Sequence, residues 1–172
     1  MSNAGTPREL LGEVEARLVR WLREESRGTR VDINMVGIGR VQLRTGTLVV
    51  NGIEVPANIP YEVAAVQMNH LRAAQMLPGR GAWTWCHLWM DASDGVLHQE
   101  CDWMREPVFS RASGDVRPGP GDCWSELERY PRDDEFIPDW LREGYEAGLK
   151  RRERNARRRE ARRRKREQER GQ

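Results

Sequence analysis

Leu11, Val14, Leu18, Trp21 and Leu22 recur at three- and four-residue steps, the spacing that lines one face of an α-helix. Upstream, Thr6 can cap that helix, Pro7 suits its first turn and Glu9 closes a capping box, while Ser26-Arg27-Gly28 ends it. The period then changes to two. Val31, Ile33 and Met35 alternate with other residues, Val41 and Leu43 follow, and Asn51-Gly52 between two apolar runs predicts a tight hairpin. A second helix is expected over residues 61–77, with Val63, Val66, His70, Leu71 and Ala74 near one face and Pro78-Gly79-Arg80-Gly81 stopping it.

Alternation returns in "AWTWCHLWMDASDGVLHQECDWM". A turn over residues 91–95 pairs Trp89 with Leu97, Trp85 with Cys101 and Trp83 with Trp103. That register gathers Trp83, Trp85, Trp89, Leu97, Cys101 and Trp103 on a buried face. Thr84, Cys86, Leu88, His98, Glu100 and Asp102 then point toward water or a helix. "RPGPGD" reads as a loop, after which Asp122 caps a short helix to Arg129. Pro131 and Pro138 hold extended backbone around "RDDEFI", and Asp139 caps a last helix from Trp140. The expected fold class is α+β: an antiparallel sheet of hairpins flanked by an N-terminal and a middle helix, with a C-terminal helix running into a basic tail.

The net charge of +2 over 172 residues conceals a division. Residues 150–172 carry 13 Arg and Lys against 4 Glu, which leaves 29 − 13 = 16 basic and 27 − 4 = 23 acidic residues upstream. An acidic body near −7 therefore bears a basic tail near +9. We expect residues 1–5 to be a disordered N-terminus, 6–149 a single domain, and 150–172 an arginine-rich helical or disordered tail. No apolar stripe follows Leu149, so the tail is expected to be solvated or bound rather than packed, with Glu153–Arg157 and Glu160–Arg164 spaced for helical pairs. Three cysteines, no apolar leader and no membrane-length apolar run fit a soluble protein of a reducing cytoplasm.

The candidate chemistry is sparse. Cys86, His87, His98, Cys101 and Cys123 lack paired metal-ligand spacing, and no nucleophile motif surrounds the cysteines. "DASDG" lacks the distal Glu of a calcium loop, and "GIG" and "PGRG" lack the context of a phosphate-binding loop. No catalytic residue, metal site or cofactor is assigned. Seven tryptophans could stack on single-stranded nucleic acid, but Asp91, Asp94, Glu100, Asp102 and Glu106 crowd the hairpin, so a packed sheet face is the better account.

What stands out is "ERYPRDDEFIPDWLREGYE", residues 128–146. Phe136, Ile137, Trp140 and Leu141 can anchor this run, leaving Asp133, Asp134 and Glu135 as an acidic knuckle. Together with "LRAAQMLPGRGAWTWCHLWMDASDGVLHQECDWMREPVF", the run "ELERYPRDDEFIPDWLREG" resembles the YezG-type immunity proteins (antitoxins) of bacterial polymorphic-toxin systems. The likeness spans roughly residues 60–145. It departs from the pattern at "CDWMREP", where an aromatic-acidic run is usual, and in its long arginine tail. The resemblance implies a non-enzymatic protein that binds and neutralises a co-encoded toxin. An acidic body suits a toxin with a basic groove, such as a nuclease. The expected contacts are Asp133, Asp134, Glu135, Asp139 and Trp140. The alternative is a nucleic-acid-associated protein that uses Arg157, Arg158, Arg159, Arg162, Arg163 and Arg164 of the tail. No membrane partner is expected.

Overall fold

The computed structural model describes residues 6–170, with backbone only for 64–67. The first helix, α1 (Pro7–Arg20), begins as the local chemistry dictates. The Thr6 hydroxyl accepts from the Glu9 amide at 3.3 Å, and the Glu9 carboxylate accepts from the Thr6 amide at 2.7 Å. Its last turn widens into a π-helical one, Trp21–Glu25, in which the Ser26 amide reaches back to the Trp21 carbonyl at 2.9 Å.

The sheet contains β1 (Arg30–Ile38), β2 (Val41–Val50), β3 (Ile53–Pro56), β4 (Trp85–Asp91) and β5 (His98–Asp102), all antiparallel and ordered β3-β2-β1-β4-β5. Asn51 and Gly52 turn β2 into β3 with φ of 51° and 79°, the left-handed pair that a two-residue hairpin demands. The second helix, α2 (Tyr61–Ala74), lies beside α1. Leu10, Val14, Leu18, Trp21 and Leu22 join Val31, Ile33, Met35, Cys86, Leu88 and Met90 in one buried cluster. At roughly 25 cal/mol per Å² of apolar surface removed from water, this cluster is the main source of stability.

Three expectations are corrected here. Helix α2 ends at Ala74 rather than residue 77, because Leu77 and Gly81 exchange backbone hydrogen bonds of 3.0 and 2.9 Å that close the glycine turn. His70 is exposed rather than near the packed face, whereas Val63 and Leu71 are buried; the side chain of Val66 lies outside the described residues. The β4–β5 register is shifted by one residue: Trp89 faces His98, His87 faces Glu100, Cys86 faces Cys101 and Trp85 faces Asp102. The β4 faces exchange with it. Cys86, Leu88 and Met90 form the core face, and Trp85, His87 and Trp89 lie on the other. The loop explains the slip. The Asp91 carbonyl accepts from the Gly95 amide and the Asp94 carboxylate from the Val96 amide, so the chain rejoins the sheet only at His98. Of Trp83, Trp85 and Trp103, only Trp83 is fully buried.

A small hairpin of β6 (Phe109–Arg111) and β7 (Gly114–Val116) leads to α3 (Pro120–Arg129) and α4 (Asp139–Arg170). Helix α3 starts two residues before Asp122; Pro120 takes the first position, and Asp122 instead accepts from the Gly119 amide at 2.9 Å. Helix α4 likewise includes Asp139, with Leu141 and Arg142 amides bonded to the Pro138 carbonyl. A second cluster of Ile38, Phe109, Cys123 and Leu141 ties α3 and α4 to the end of the sheet, on the side opposite α1 and α2. Close crossing of the two helices needs Gly144 and Gly148, where an added Cβ would lie 2.4 Å from Cys123 Sγ and from the Pro120 carbonyl oxygen. No helix among the described residues is long and apolar enough to cross a membrane.

Candidate functional site

The acidic knuckle is fixed from beneath by buried charges. Arg72 of α2 and Glu126 of α3 are both fully buried, and Arg72 Nη2 contacts both Glu126 carboxylate oxygens at 2.7 Å. The same carboxylate accepts from the Gly39 amide at 2.6 Å and from Arg132 Nη2 at 3.3 Å. Arg72 Nε donates to the Trp83 carbonyl at 2.7 Å, and its guanidinium lies 4.6 Å from the Tyr130 ring centroid. Burial lowers the Arg132 pKa, and the Glu126 charge opposes that shift.

Arg132 carries this network outward. Its guanidinium donates to the carbonyls of Ala82 at 2.7 Å, Trp103 at 2.5 Å and Phe136 at 3.3 Å, stitching the glycine turn, the end of β5 and the knuckle together. The Asp133 amide donates to the Gly79 carbonyl at 2.7 Å. Gly79 has φ of 73°, the left-handed region that favours glycine, and an added Cβ would sit 2.3 Å from Asp133 Oδ2 and push that carboxylate aside. Arg80 lies 5.1 Å from the ring centroids of both Trp103 and Phe136.

Above this base Asp133, Asp134 and Glu135 are exposed, the last two in a single 3-10 turn, Asp134–Phe136. Asp139 is exposed nearby, and Trp140 is half-buried with its indole N–H bonded to the Met104 carbonyl at 2.9 Å. All five expected contact residues thus fall within one short stretch. Asp134 also meets Arg142 at 3.4 Å, an exposed pair worth little. Phe136, Ile137 and Trp140 are only half-buried; the deep anchors are Leu141, Tyr130 and Arg132.

A second surface was expected only in part: His98, Glu100 and Asp102 lie on the outer face as the pattern implied, but Trp85, His87 and Trp89 join them there. With α1 and α2 on one side of the sheet and α3 and α4 over its Ile38 end, the other side remains open around Asp32, Asn34, Thr45, Thr47, His87 and Glu100. His87 stacks on Trp89 at 4.9 Å and Trp89 on His98 at 5.2 Å, while Trp85 receives the Arg105 guanidinium at 4.0 Å. Asp32 accepts from Arg30 at 2.7 Å and meets His87 Nε2 at 2.9 Å; the Arg30 hydrogen bond is the main cause of its lowered pKa. The Trp-x-His-x-Trp alternation carried the signal, which assigning the bulkiest residues to the core obscured.

The thiols present no exposed nucleophile. Cys86 and Cys123 are buried, burial pushes Cys123 up to about 11, and the Cys101 hydrogen bond lowers Cys86 while raising Cys101. The tail arginines at 157–159 and 162–164 are exposed and surround α4 on all sides. Arg164 pairs with Glu160 at 2.5 Å and Arg163 with Glu167 at 3.6 Å, whereas no Glu153–Arg157 pair is seen among the described residues. No family model and no curated protein matches the chain.

Proposed function

We propose that this protein is an immunity protein that binds and neutralises a cognate bacterial toxin by stoichiometric occlusion, with no catalysis of its own. The observation that carries this reading is the acidic knuckle: three exposed carboxylates held by buried Arg132 and Tyr130 rather than on a mobile loop. A preset carboxylate array loses little conformational entropy on binding, and it repels phosphate while attracting a basic protein groove. A nuclease-type toxin offers such a groove. Asp133, Asp134, Glu135, Asp139 and the exposed edge of Trp140 are the contacts, and the cytoplasm, where such a toxin acts, is the site of action.

The test is titration of the neighbouring gene's product, which on this reading carries a toxin-like C-terminal domain. Inhibition should saturate at one immunity protein per toxin, and a D133N/D134N/E135Q variant should weaken it severely without unfolding. Catalytic rather than stoichiometric loss of toxin activity, or full protection by that variant, refutes the proposal. The arginine-ringed end of α4 favours one second reading, nucleic-acid association through the tail. Truncation after Leu149 separates the two: neutralisation persists and nonspecific nucleic-acid binding disappears if the knuckle is the toxin site.

A further inference from the structure

We propose that the open face of the sheet around Trp85, His87 and Trp89 is a recognition surface for an arginine-bearing segment of a protein partner. The chain displays the binding mode on itself. Arg105 lies 4.0 Å from the centroid of the Trp85 ring while pairing with Asp102 at 3.4 Å, so one guanidinium already sits on the ladder with a carboxylate beside it. Further along, Trp89 stacks on His87 and on His98, and neighbouring exposed Glu100 has no ion-pair partner among the described residues. A second guanidinium placed there would find the same combination of aromatic surface and anion.

Charge selects the kind of partner. On β1, β4, β5 and the turn that follows, Arg30 and Arg105 stand against Asp32, Asp91, Glu100 and Asp102 on this face, two positive groups against four negative ones. A net negative aromatic surface disfavours phosphates, which separates it from the stacking grooves that bind single-stranded nucleic acid. It favours cations, and among them arginine, whose flat, weakly hydrated guanidinium can stack and bond a carboxylate together, whereas the lysine ammonium cannot. At the foot of the ladder, a cavity of about 240 Å³ is lined by Asn34, Thr45, Trp85 and Ser110 among others. The side-chain oxygens of Asn34, Thr45 and Ser110 could accept from a guanidinium entering beside Trp85. The knuckle offers carboxylates without such a ladder, so the two surfaces make different demands on a partner.

The inference does not depend on the partner being a toxin, and its test uses the full chain. Labelled nona-arginine and nona-lysine peptides carry equal charge, so their affinity ratio at physiological salt reads stacking rather than charge. The arginine peptide should bind about fivefold to tenfold more tightly. Trp89→Ala should bring the ratio close to one, and the exposed Glu100→Gln should weaken both peptides. The knuckle variant D133N/D134N/E135Q should leave the ratio unchanged. Because Trp89→Ala alters a half-buried ring, indole N–H resonances of the unaltered protein provide the second reading: Trp85 and Trp89 should move on addition of nona-arginine, and buried Trp83 should not. Equal affinities in the unaltered protein, a ratio that survives Trp89→Ala, or shifts confined to other indoles would overturn the proposal. So would salt-sensitive self-association abolished by Trp89→Ala, which would give the face to the arginine tail of a second copy instead.

Discussion

Replacing Glu126 with alanine tests whether the buried ion network organises the knuckle. The substitution removes both 2.7 Å contacts to Arg72, the 3.3 Å contact to Arg132 and the only acceptor shown for the Gly39 amide. Two guanidiniums would then be buried with no counter-charge. Breaking a buried pair from one side costs about 3–5 kcal/mol, against a total stability of roughly 5–15 kcal/mol for an ordinary domain. We therefore expect Glu126→Ala to lose about 4 kcal/mol. With a urea dependence of about 2 kcal/mol per molar, the unfolding midpoint, followed by tryptophan fluorescence, should fall by roughly 2 M at unchanged slope. Glu126→Gln keeps an acceptor for Gly39 and should lose less. The triple change R72M/E126L/R132M removes all three charges together and should recover part of the loss. Recovery should be incomplete, because Arg132 also satisfies the carbonyls of Ala82 and Trp103. A midpoint shift below about 0.5 M for Glu126→Ala would refute the reasoning, since it would mean that the two guanidiniums reach water without their carboxylate.

Gly79→Ala should cost about 1–2 kcal/mol from the left-handed backbone alone and should displace Asp133 as well, so urea unfolding and toxin neutralisation should both suffer. Iodide should leave a protected fraction of tryptophan fluorescence from Trp83 and Trp21 while reaching the half-buried indoles; uniform quenching would contradict this packing. Asp32 has a lowered native pKa, so its ionic contribution to stability is present above the ordinary value of 3.8 and is lost as pH falls through the lower native one. Arg30→Ala should therefore be less stable than the parent protein at neutral pH, with the gap closing below about pH 4. A gap that widens on acidification would show that the sign is wrong.

How far the sequence revealed the molecule depended on how local the deciding interactions were. The capping box of Thr6 and Glu9 and the Asn51-Gly52 turn are complete within four residues, so their residue types name their geometry. The β4–β5 pairing is also close in sequence, but both faces of β4 carry apolar side chains, and a loop longer by a residue turned β4 over against β5, whose Cys101, His98, Glu100 and Asp102 keep the faces expected of them. Size then misled: the two tryptophans of β4 are outside because α1 meets the smaller Cys86, Leu88 and Met90. The position of the knuckle was legible, since Pro131 and Pro138 frame it. Its support was not. Arg72 and Glu126 are 54 residues apart, and nothing near either one distinguishes a buried charge from a solvated one.

Helix α4 runs without interruption from Asp139, beside the knuckle, to Arg170. Leu141 roots its first turn in the core, and at 1.5 Å per residue the stretch beyond Leu149 extends about 30 Å from the body. The basic residues are therefore carried on one continuous helix rather than a tether, from Arg152 against the Trp124 ring of α3 out to Arg170. A flexible linker offers its second group over a cloud of distances; a rod offers it at one. A ligand with matching sites at that separation would gain a high effective concentration for its second contact, and one with the wrong spacing would gain none. Inserting a proline near Ala156 would break the rod and let its arginines sample a range of distances from the knuckle.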